Sequence, residues 1–150
     1  MIRDLRVTDA AACDAIIAGL PDWFGDPLGL TECAEAVRSQ KGLVSVRETG
    51  EVAGFLTWVE EERATVEITW MAVRSDSRRA GHGSALIQAL VEGARTAGAR
   101  FLLVKTLSDA HPDRGYAQTR DFYRAQGFEP VAELDVWGPD NPAQLLMRLI

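Results

Sequence analysis

The chain has 150 residues, 47% hydrophobic and 25% charged, which suits one folded domain with a sizeable core and excludes a disordered or fibrous protein. A net charge of -6 argues against general nucleic-acid binding, which needs a basic face, and mildly favours a cationic partner. Residues 1–6 are charged where a signal peptide is apolar, and no stretch approaches the roughly 20 apolar residues of a membrane span. We therefore expect a single cytoplasmic domain over residues 1–150 without membrane association.

The first predicted elements are a strand and two helices, over residues 2–7, 9–20 and 31–40, with residues 21–29 as a loop. Thr8 and Thr31 are the candidate N-caps of the two helices, because a side-chain hydroxyl there can accept a first-turn amide. Cys13 and Cys33 fall in these helices without a CxxC pair or a nearby His. They are expected to be buried free thiols rather than zinc ligands.

The middle of the chain alternates between apolar strands and one amphipathic helix. The predicted order is a hairpin of strands over 43–47 and 52–59, a charged turn over 60–63, a strand over 64–73, a helix over 85–97 and a strand over 101–107. Gly98 suits the left-handed position after the helix. Strand, turn, helix and strand together predict a right-handed βαβ unit with a parallel strand pair.

The last part of the chain is predicted as a short helix over 118–126, ended by Gly127, and two strands. The strands lie near 128–137 and 144–150, across a turn over 138–142. The whole order is therefore β-α-α-β-β-β-α-β-α-β-β.

The turn between the strand over 64–73 and the following helix carries the most chemical information. It reads Arg78-x-x-Gly81-x-Gly83, so basic and glycine residues stand where helix amides and the positive dipole end point outward. An anion placed there would meet several donors, and glycine allows close approach to the backbone. No Lys-Ser or Lys-Thr follows Gly83 as in a P-loop, and no third glycine completes a dinucleotide-binding fingerprint.

Two motifs give the chain a family resemblance. Arg78-x-x-Gly81-x-Gly83 resembles the pyrophosphate loop of the GNAT superfamily, the acetyl-coenzyme A dependent N-acyltransferases, and the stretch from Phe122 to Phe128 resembles its Phe-Tyr-x-x-x-Gly-Phe motif. The resemblance implies an α/β (α+β) fold, a mostly antiparallel sheet of about seven strands with about four helices and a central splayed parallel pair. It also implies acetyl-coenzyme A as co-substrate and no metal.

The resemblance implies a cofactor site at the strand end and the loop. The backbone of Met71, Ala72 and Val73 would pair with pantetheine, and amides near Met71 would polarise the thioester carbonyl. The loop residues would hold the pyrophosphate, namely Arg78, Arg79, Ala80, Gly81, His82, Gly83 and Ser84. The alternative is a plain strand-to-helix connection that exposes two arginines. His82 is interpreted as solvent-facing or phosphate-adjacent rather than catalytic.

Two catalytic candidates come from the same resemblance. Tyr123 stands where many family members protonate the departing thiolate, which suits a phenol with a pKa near 10; alternatively it packs the helix onto the sheet. Glu67 stands where some members place a general base. Facing inward, it would be desolvated and suited to act through water; alternatively it lies on a solvent face.

The chain departs from the family pattern in the helix before Tyr123. Tyr116 stands where the family often has Asn, and Thr119 where a small Ala is usual. Both remain candidate cofactor contacts. His111 is interpreted as a turn residue rather than a base.

The acceptor is expected to be a primary amine. Trp23, Phe24, Trp58 and Trp137 could form an aromatic wall, and Asp22, Asp26 and residues 60–62 could hold a cation, although each suits the core or a solvated rim equally well. The leading interpretation is transfer to a small molecule. The alternatives are a protein N-terminus or lysine, a non-catalytic acyl-coenzyme A sensor and, least favoured, a nucleotide-binding regulator. A homodimer through the sheet edge near Trp137 is also expected.

Overall fold

The structure is a computed structural model that describes the backbone of residues 1–20, 27–110 and 114–150. The side chains of residue 27 and of residues 114–116 fall outside that description. The chain divides into two compact units. The first comprises Met1–Val59 and Ile68–Gly93, and the second comprises Glu60–Glu67 and Ala94–Ile150.

The described residues form seven strands and four α-helices in the predicted order. The strands are β1 Ile2–Asp4, β2 Lys41–Val46, β3 Val52–Glu62, β4 Thr65–Val73, β5 Phe101–Leu107, β6 Glu129–Leu134 and β7 Ala143–Leu149. The helices are α1 Ala10–Ala18, α2 Pro27–Ser39, α3 His82–Thr96 and α4 Arg114–Ala125, and two short 3-10 turns lie at Val7–Asp9 and Ser75–Ser77.

The strands form one sheet in the order β1-β2-β3-β4-β5-β7-β6. In the first unit β2 pairs antiparallel with β1 and with β3, where Val44 lies opposite Phe55. In the second unit β7 pairs antiparallel with β5 and β6, where Val104 lies opposite Leu146. The predicted fold class is confirmed, because the sheet is mostly antiparallel with one parallel pair.

The core of the first unit lies between the sheet and its first two helices. Ile16 and Ile17 of α1 bury their side chains against β2 and β3, in a cluster that includes the fully buried Phe55. Burial of each such side chain contributes about 1.5–3 kcal/mol. Cys13 and Cys33 belong to this cluster, which confirms the prediction of buried free thiols, and desolvation raises the pKa of each to about 12.

Several predicted boundaries are wrong at the ends of elements. Thr8 lies inside a 3-10 turn, and α1 begins at Ala10 after Asp9. Thr31 lies inside α2, which already begins at Pro27. Residues 60–62 continue β3 rather than forming a turn, because three exposed glutamates at a strand end can point into solvent while their backbone pairs. The loop-to-helix boundary also falls earlier than predicted, at His82.

Asp9 is the side chain that fixes the entry to α1. Its carboxylate is 7% exposed and accepts two hydrogen bonds from the Arg3 guanidinium, at 2.8 and 2.9 Å, and one from the Arg6 amide at 2.8 Å. The hydrogen bonds from Arg3, above all, lower the pKa of Asp9. A lowered folded pKa means that the stabilisation is present above the unfolded value near 3.9 and is lost as pH falls below it.

Replacing Asp9 by Asn should lower the free energy of unfolding at neutral pH by about 1–3 kcal/mol, because two charge-assisted bonds to Arg3 are weakened. Urea denaturation measures the loss, and the difference from wild type should shrink below pH 4, where the wild-type carboxylate is protonated. The exposed Asp4→Asn is the matched control and should unfold like wild type. Equal stabilities of all three proteins would contradict the role given to Asp9.

Candidate active site

The turn after β4 places the predicted anion-binding backbone at the start of α3. Arg78 is extended, Arg79 has φ 63°, Gly81 has φ 84° and α3 begins at His82. The Ala85 amide donates to the Gly81 carbonyl at 3.0 Å, so the amides of His82 and Gly83 precede the first helical hydrogen bond. Glycine adopts this left-handed backbone conformation without steric cost, and a Cβ at Gly81 would meet no atom within 4 Å. The space beside the Gly81 Cα is therefore open.

The backbone leading into this turn is anchored to β3 and to a cluster of charges. The Arg74 amide donates to Ala53 at 2.8 Å, and the Ser77 amide donates to Arg74 at 2.9 Å. The Asp76 carboxylate accepts from Arg74 at 3.0 Å and from Arg47 at 2.9 Å, and the bonds from Arg74 lower its pKa most. Asp76 is therefore paired with two arginines that precede the turn.

His82 turns its side chain towards β2 rather than towards solvent. Its Nδ1 lies 2.7 Å from the Oγ of Ser45, which is 2% exposed, and the His82 ring is half-buried. The ring is therefore tied to the sheet through Nδ1 while it stays partly exposed, and its place beside a phosphate stays a prediction. The contact ties the first residue of α3 to the sheet across 37 residues of sequence, and a sequence pattern alone could not reveal the pairing.

The predicted pantetheine segment is the end of β4 in the first unit. Ala72 is 6% exposed, while Met71 and Val73 are half-buried. β3 approaches this segment closely at Gly54, where a Cβ would come within 3.0 Å of the Ala72 carbonyl oxygen and 3.1 Å of Val73 Cγ2. A larger residue at position 54 would push β3 and β4 apart. Glycine at this position therefore allows the two strands to lie close together at the end of β4.

A chain of three hydrogen-bonded side chains, which was not predicted, involves one residue of each of these strands and Gln40. The hydroxyls of Thr57 and Thr69 lie 2.7 Å apart, and Thr69 donates to the side-chain oxygen of Gln40. Thr57 is fully buried. The signal that could have found this chain is a threonine on each of two neighbouring apolar strands, since a buried hydroxyl requires a partner.

Glu67 is a buried carboxylate in the second unit. It is 7% exposed between the buried Val66 and Ile68, so the alternative of a solvent-facing glutamate is wrong. Its Oε1 lies 2.8 Å from Nζ of Lys105 on β5. Lys105 was missed by the sequence reasoning, although a single charge inside the apolar run Phe101–Leu107 is the kind of signal that indicates a buried partner.

A second carboxyl approaches Glu67 from the end of β3. Glu61 is exposed, and a side-chain hydrogen bond to Glu67 raises its pKa, with burial and the negative charge of Glu67 acting in the same direction. Lys105 opposes that shift. Residues 60–62, predicted to hold a cation, therefore lie on a strand end with one member in contact with the buried acid.

Tyr123 is buried on α4 in the second unit. It is 5% exposed and lies edge-on to Phe122 and Phe128, with ring centroids 5.3 and 5.4 Å away. Desolvation raises the pKa of its phenol well above the usual value. The hydroxyl therefore stays protonated at any ordinary pH, and it is a weaker acid than the ordinary phenol that the sequence suggested.

The helix α4 also carries two candidate cofactor contacts and a buried arginine. Thr119, a candidate cofactor contact, is half-buried one turn before Tyr123, whereas the side chain of Tyr116 lies outside the described residues. Arg120 is 9% exposed and donates to the carbonyls of Leu107 and Ser108, at 2.9 and 3.1 Å. Arg120 was not predicted, and it holds the backbone that leaves β5.

The predicted acceptor residues are only partly described. Trp58 is half-buried on β3 in the first unit, and Trp137 is 43% exposed after β6 in the second. Trp23, Phe24, Asp22, Asp26 and His111 lie outside the described residues. The aromatic wall stays a prediction. Within the described ranges no group of three His, Cys, Asp or Glu side chains could hold a metal ion, and no helix there is long and apolar enough to cross a membrane.

Residues 10–128 match the model of the Acetyltransferase (GNAT) family. No curated protein matches the chain.

Solved structures share the fold along almost the whole chain. A GNAT-family protein from Desulfovibrio desulfuricans is 21% identical, with TM-score 0.85 and coverage of 99% of this chain and 98% of that one. A ribosomal-protein-alanine N-acetyltransferase from Brucella melitensis is 22% identical, with TM-score 0.74 and coverage of 100% and 99%. An aminoglycoside 6'-N-acetyltransferase complexed with coenzyme A is 17% identical, with TM-score 0.73 and coverage of 99% and 96%. At these identities the likeness concerns the fold.

Proposed function

The chain belongs to the GNAT family of acetyltransferases, and from this premise we propose that it transfers an acetyl group from acetyl-coenzyme A to the primary amine of a small molecule. Attack takes place directly, in a ternary complex of enzyme, donor and acceptor. The observation that carries the proposal is the open, left-handed turn at Gly81 in front of α3. Residues 1–150 are proposed to be one acetyltransferase domain, and the support is that the family match over residues 10–128 includes residues of both compact units.

The turn from Arg78 to Ser84 suits the pyrophosphate of the cofactor. The amides of His82 and Gly83 precede the first helical bond, and Arg78 and Arg79 are exposed beside them. Amides at a helix start and charged guanidiniums are the donors that bind phosphate oxygens most strongly. The backbone of Met71, Ala72 and Val73 holds the pantetheine arm and orients the thioester. Bound acetyl-coenzyme A supplies the activated acetyl group.

Glu67 is the proposed general base. It accepts a proton of the acceptor ammonium, through water, so that a neutral amine attacks the thioester carbonyl. Its support is a buried carboxylate, paired with Lys105, on the same strand as the pantetheine segment.

Tyr123 is the proposed donor to the departing thiolate. A protonated, desolvated phenol donates a hydrogen bond that strengthens as negative charge builds up on sulfur. The raised pKa of Tyr123 favours this stabilising role over full early proton release. Thr119 and Tyr116 stay proposed cofactor contacts on the same helix.

The acceptor is proposed to be a small cationic amine, with Trp23, Phe24, Trp58 and Trp137 as proposed contacts. The net charge of -6 supports attraction of a cation. Similar structures include enzymes named for aminoglycosides and for ribosomal proteins, so a protein N-terminus or lysine is the alternative that the experiment must separate. We also propose that the protein is cytoplasmic and forms a homodimer.

The proposal is tested in two steps on one sample. Thermal unfolding is first followed with and without acetyl-coenzyme A, and stabilisation is expected because a ligand of the folded state raises the melting temperature. Release of free thiol is then measured with a polyamine, an aminoglycoside, free amino acids and a peptide with an N-terminal alanine. Release with a small amine supports the proposal, release only with the peptide favours the protein acceptor, and stabilisation without any release favours a sensor.

A further inference from the structure

Two side chains at the end of β2 contact the chain on either side of residues 78–81, the span that links the 3-10 turn Ser75–Ser77 to α3. Ser45 lies in β2, and its Oγ is 2.7 Å from Nδ1 of His82, the first residue of α3. Arg47 directly follows β2 and donates to the Asp76 carboxylate at 2.9 Å and to the Ser77 hydroxyl. The span therefore begins and ends at a contact with the same short piece of chain.

The end of β2 is a firm support for these contacts. Ser45 pairs with β1 on one side and with β3 on the other. The Arg47 amide donates to the Glu51 carbonyl at 2.8 Å, and the Arg47 carbonyl accepts from the Gly50 amide at 2.9 Å. The backbone of Ser45 is thus fixed by the sheet, and that of Arg47 is fixed by the hairpin between β2 and β3.

The hydroxyls in these contacts are shielded from water. Ser45 is 2% exposed, Ser77 is 4% exposed, and the Arg47 side chain is 26% exposed. Breaking a bond to a buried hydroxyl would leave a polar group without a partner, so such bonds resist opening more than exposed surface contacts do. Every residue in the two contacts belongs to the first unit.

The span itself has a backbone shape that needs support. Arg79 has φ 63°, a left-handed conformation that costs free energy for a residue with a Cβ. Such a residue keeps this conformation only where the surrounding structure determines it. A contact at each end of the span restricts the other conformations that Arg79 could adopt.

The geometry points to Ser45 and Arg47 as positioning residues that hold residues 78–81 in the shape that binds the cofactor pyrophosphate. This inference rests on the proposed cofactor site at that turn. Ser45 acts through His82, and Arg47 acts through the 3-10 turn. A turn that is ordered before binding loses little freedom when the cofactor binds, so the two contacts raise affinity without taking part in the chemical step.

The first test compares two acetyl donors. Ser45→Ala and Arg47→Met should each weaken binding of acetyl-coenzyme A about 5- to 10-fold, with kcat at saturating donor unchanged. S-acetylpantetheine has the same thioester arm without the pyrophosphate, and both variants should use it with the wild-type kcat/KM. General damage to the fold would lower the use of both donors. The acceptor is whichever amine of the panel above gives the fastest release.

The matched control for Arg47→Met is Arg38→Met. Arg38 is also paired with an aspartate, since its guanidinium lies 2.6 Å from the Asp14 carboxylate, but this pair joins α2 to α1. The two substitutions change the net charge equally. Arg38→Met should bind acetyl-coenzyme A and use S-acetylpantetheine like wild type.

The second test needs neither donor nor acceptor. Backbone amide relaxation measured by NMR reports motion on the picosecond to nanosecond timescale. The order parameters of residues 78–81 should be those of a rigid backbone in wild type and in Arg38→Met. They should fall in Ser45→Ala and in Arg47→Met, because each substitution releases one end of the span.

The outcomes separate the positioning role from the proposed function. If Ser45→Ala and Arg47→Met keep the wild-type affinity for acetyl-coenzyme A, or lose the use of both donors equally, the positioning role is overturned while the transferase stands. If wild type does not bind acetyl-coenzyme A, the proposed function fails. Order parameters that are unchanged in both variants would then overturn the support of residues 78–81 as well.

Discussion

Replacing Tyr123 by Phe is expected to lower kcat by about 10²- to 10³-fold while the affinity for acetyl-coenzyme A stays the same. The substitution removes one hydroxyl and keeps the ring that lies edge-on to Phe122 and Phe128. An interaction made mainly with the developing thiolate acts on the transition state and not on cofactor binding. Steady-state kinetics and calorimetry with coenzyme A give the two quantities separately.

The matched control for Tyr123 is Phe122→Leu, which disturbs the neighbouring ring and leaves the hydroxyl in place. It should reduce stability with only a small change in kcat.

The pH dependence of stability provides a second check on Tyr123. Because burial raises the pKa of Tyr123, its contribution to stability is lost as pH rises above the unfolded value near 10, so Tyr123→Phe should lose less stability there than wild type. Unchanged kcat in Tyr123→Phe would remove this residue from the mechanism.

Replacing Gly81 by Ala should weaken coenzyme A binding by about 10- to 100-fold, equivalent to the loss of one or two charge-assisted hydrogen bonds. Gly81 has φ 84° and open space around its Cα, so the added methyl group meets strain and not a protein clash. In the proposed binding mode this methyl group would compete with the pyrophosphate for the open space at the turn. The strain itself should cost about 1–2 kcal/mol of stability.

Gly50→Ala separates that strain from binding. Gly50 has φ 90° and equally open surroundings, but it lies in the hairpin between β2 and β3. Both variants should therefore lose similar stability, measured by urea denaturation, and only Gly81→Ala should lose affinity for coenzyme A in calorimetry. Equal affinities in the two variants would show that the turn before α3 is not the cofactor site.

The order of elements could be predicted because it depends on local signals. Gly98 and Gly127 both adopt the positive φ expected after a helix, and the strand over 101–107 has the predicted bounds. The first residues of the helices could not be predicted in this way. Thr8 and Thr31 both have a hydroxyl that could cap a helix, but at the start of α1 it is Asp9 that is held in place, by two hydrogen bonds from the Arg3 guanidinium. Which residue precedes a helix therefore depends on partners such as Arg3, which only the folded chain brings near.

The backbone part of the candidate site could also be predicted, because glycines and arginines at fixed spacing define the turn before α3. The side-chain part could not. Lys105 reaches Glu67 across 38 positions and His82 reaches Ser45 across 37, and such pairs form only when separate strands and helices are in place. Burial also changes the chemistry of Tyr123, whose phenol is less acidic than its residue type suggests.

The most direct measurement of the central claim follows a labelled acetyl group. The protein is incubated with acetyl-coenzyme A carrying carbon-13 in the acetyl group and with the amine panel, and the amine products and the free thiol are quantified together by mass spectrometry. We expect one small amine to gain the labelled acetyl group in an amount equal to the coenzyme A released. Thiol release without labelled amide, or a label found only on peptide or on no amine at all, would contradict transfer to a small molecule.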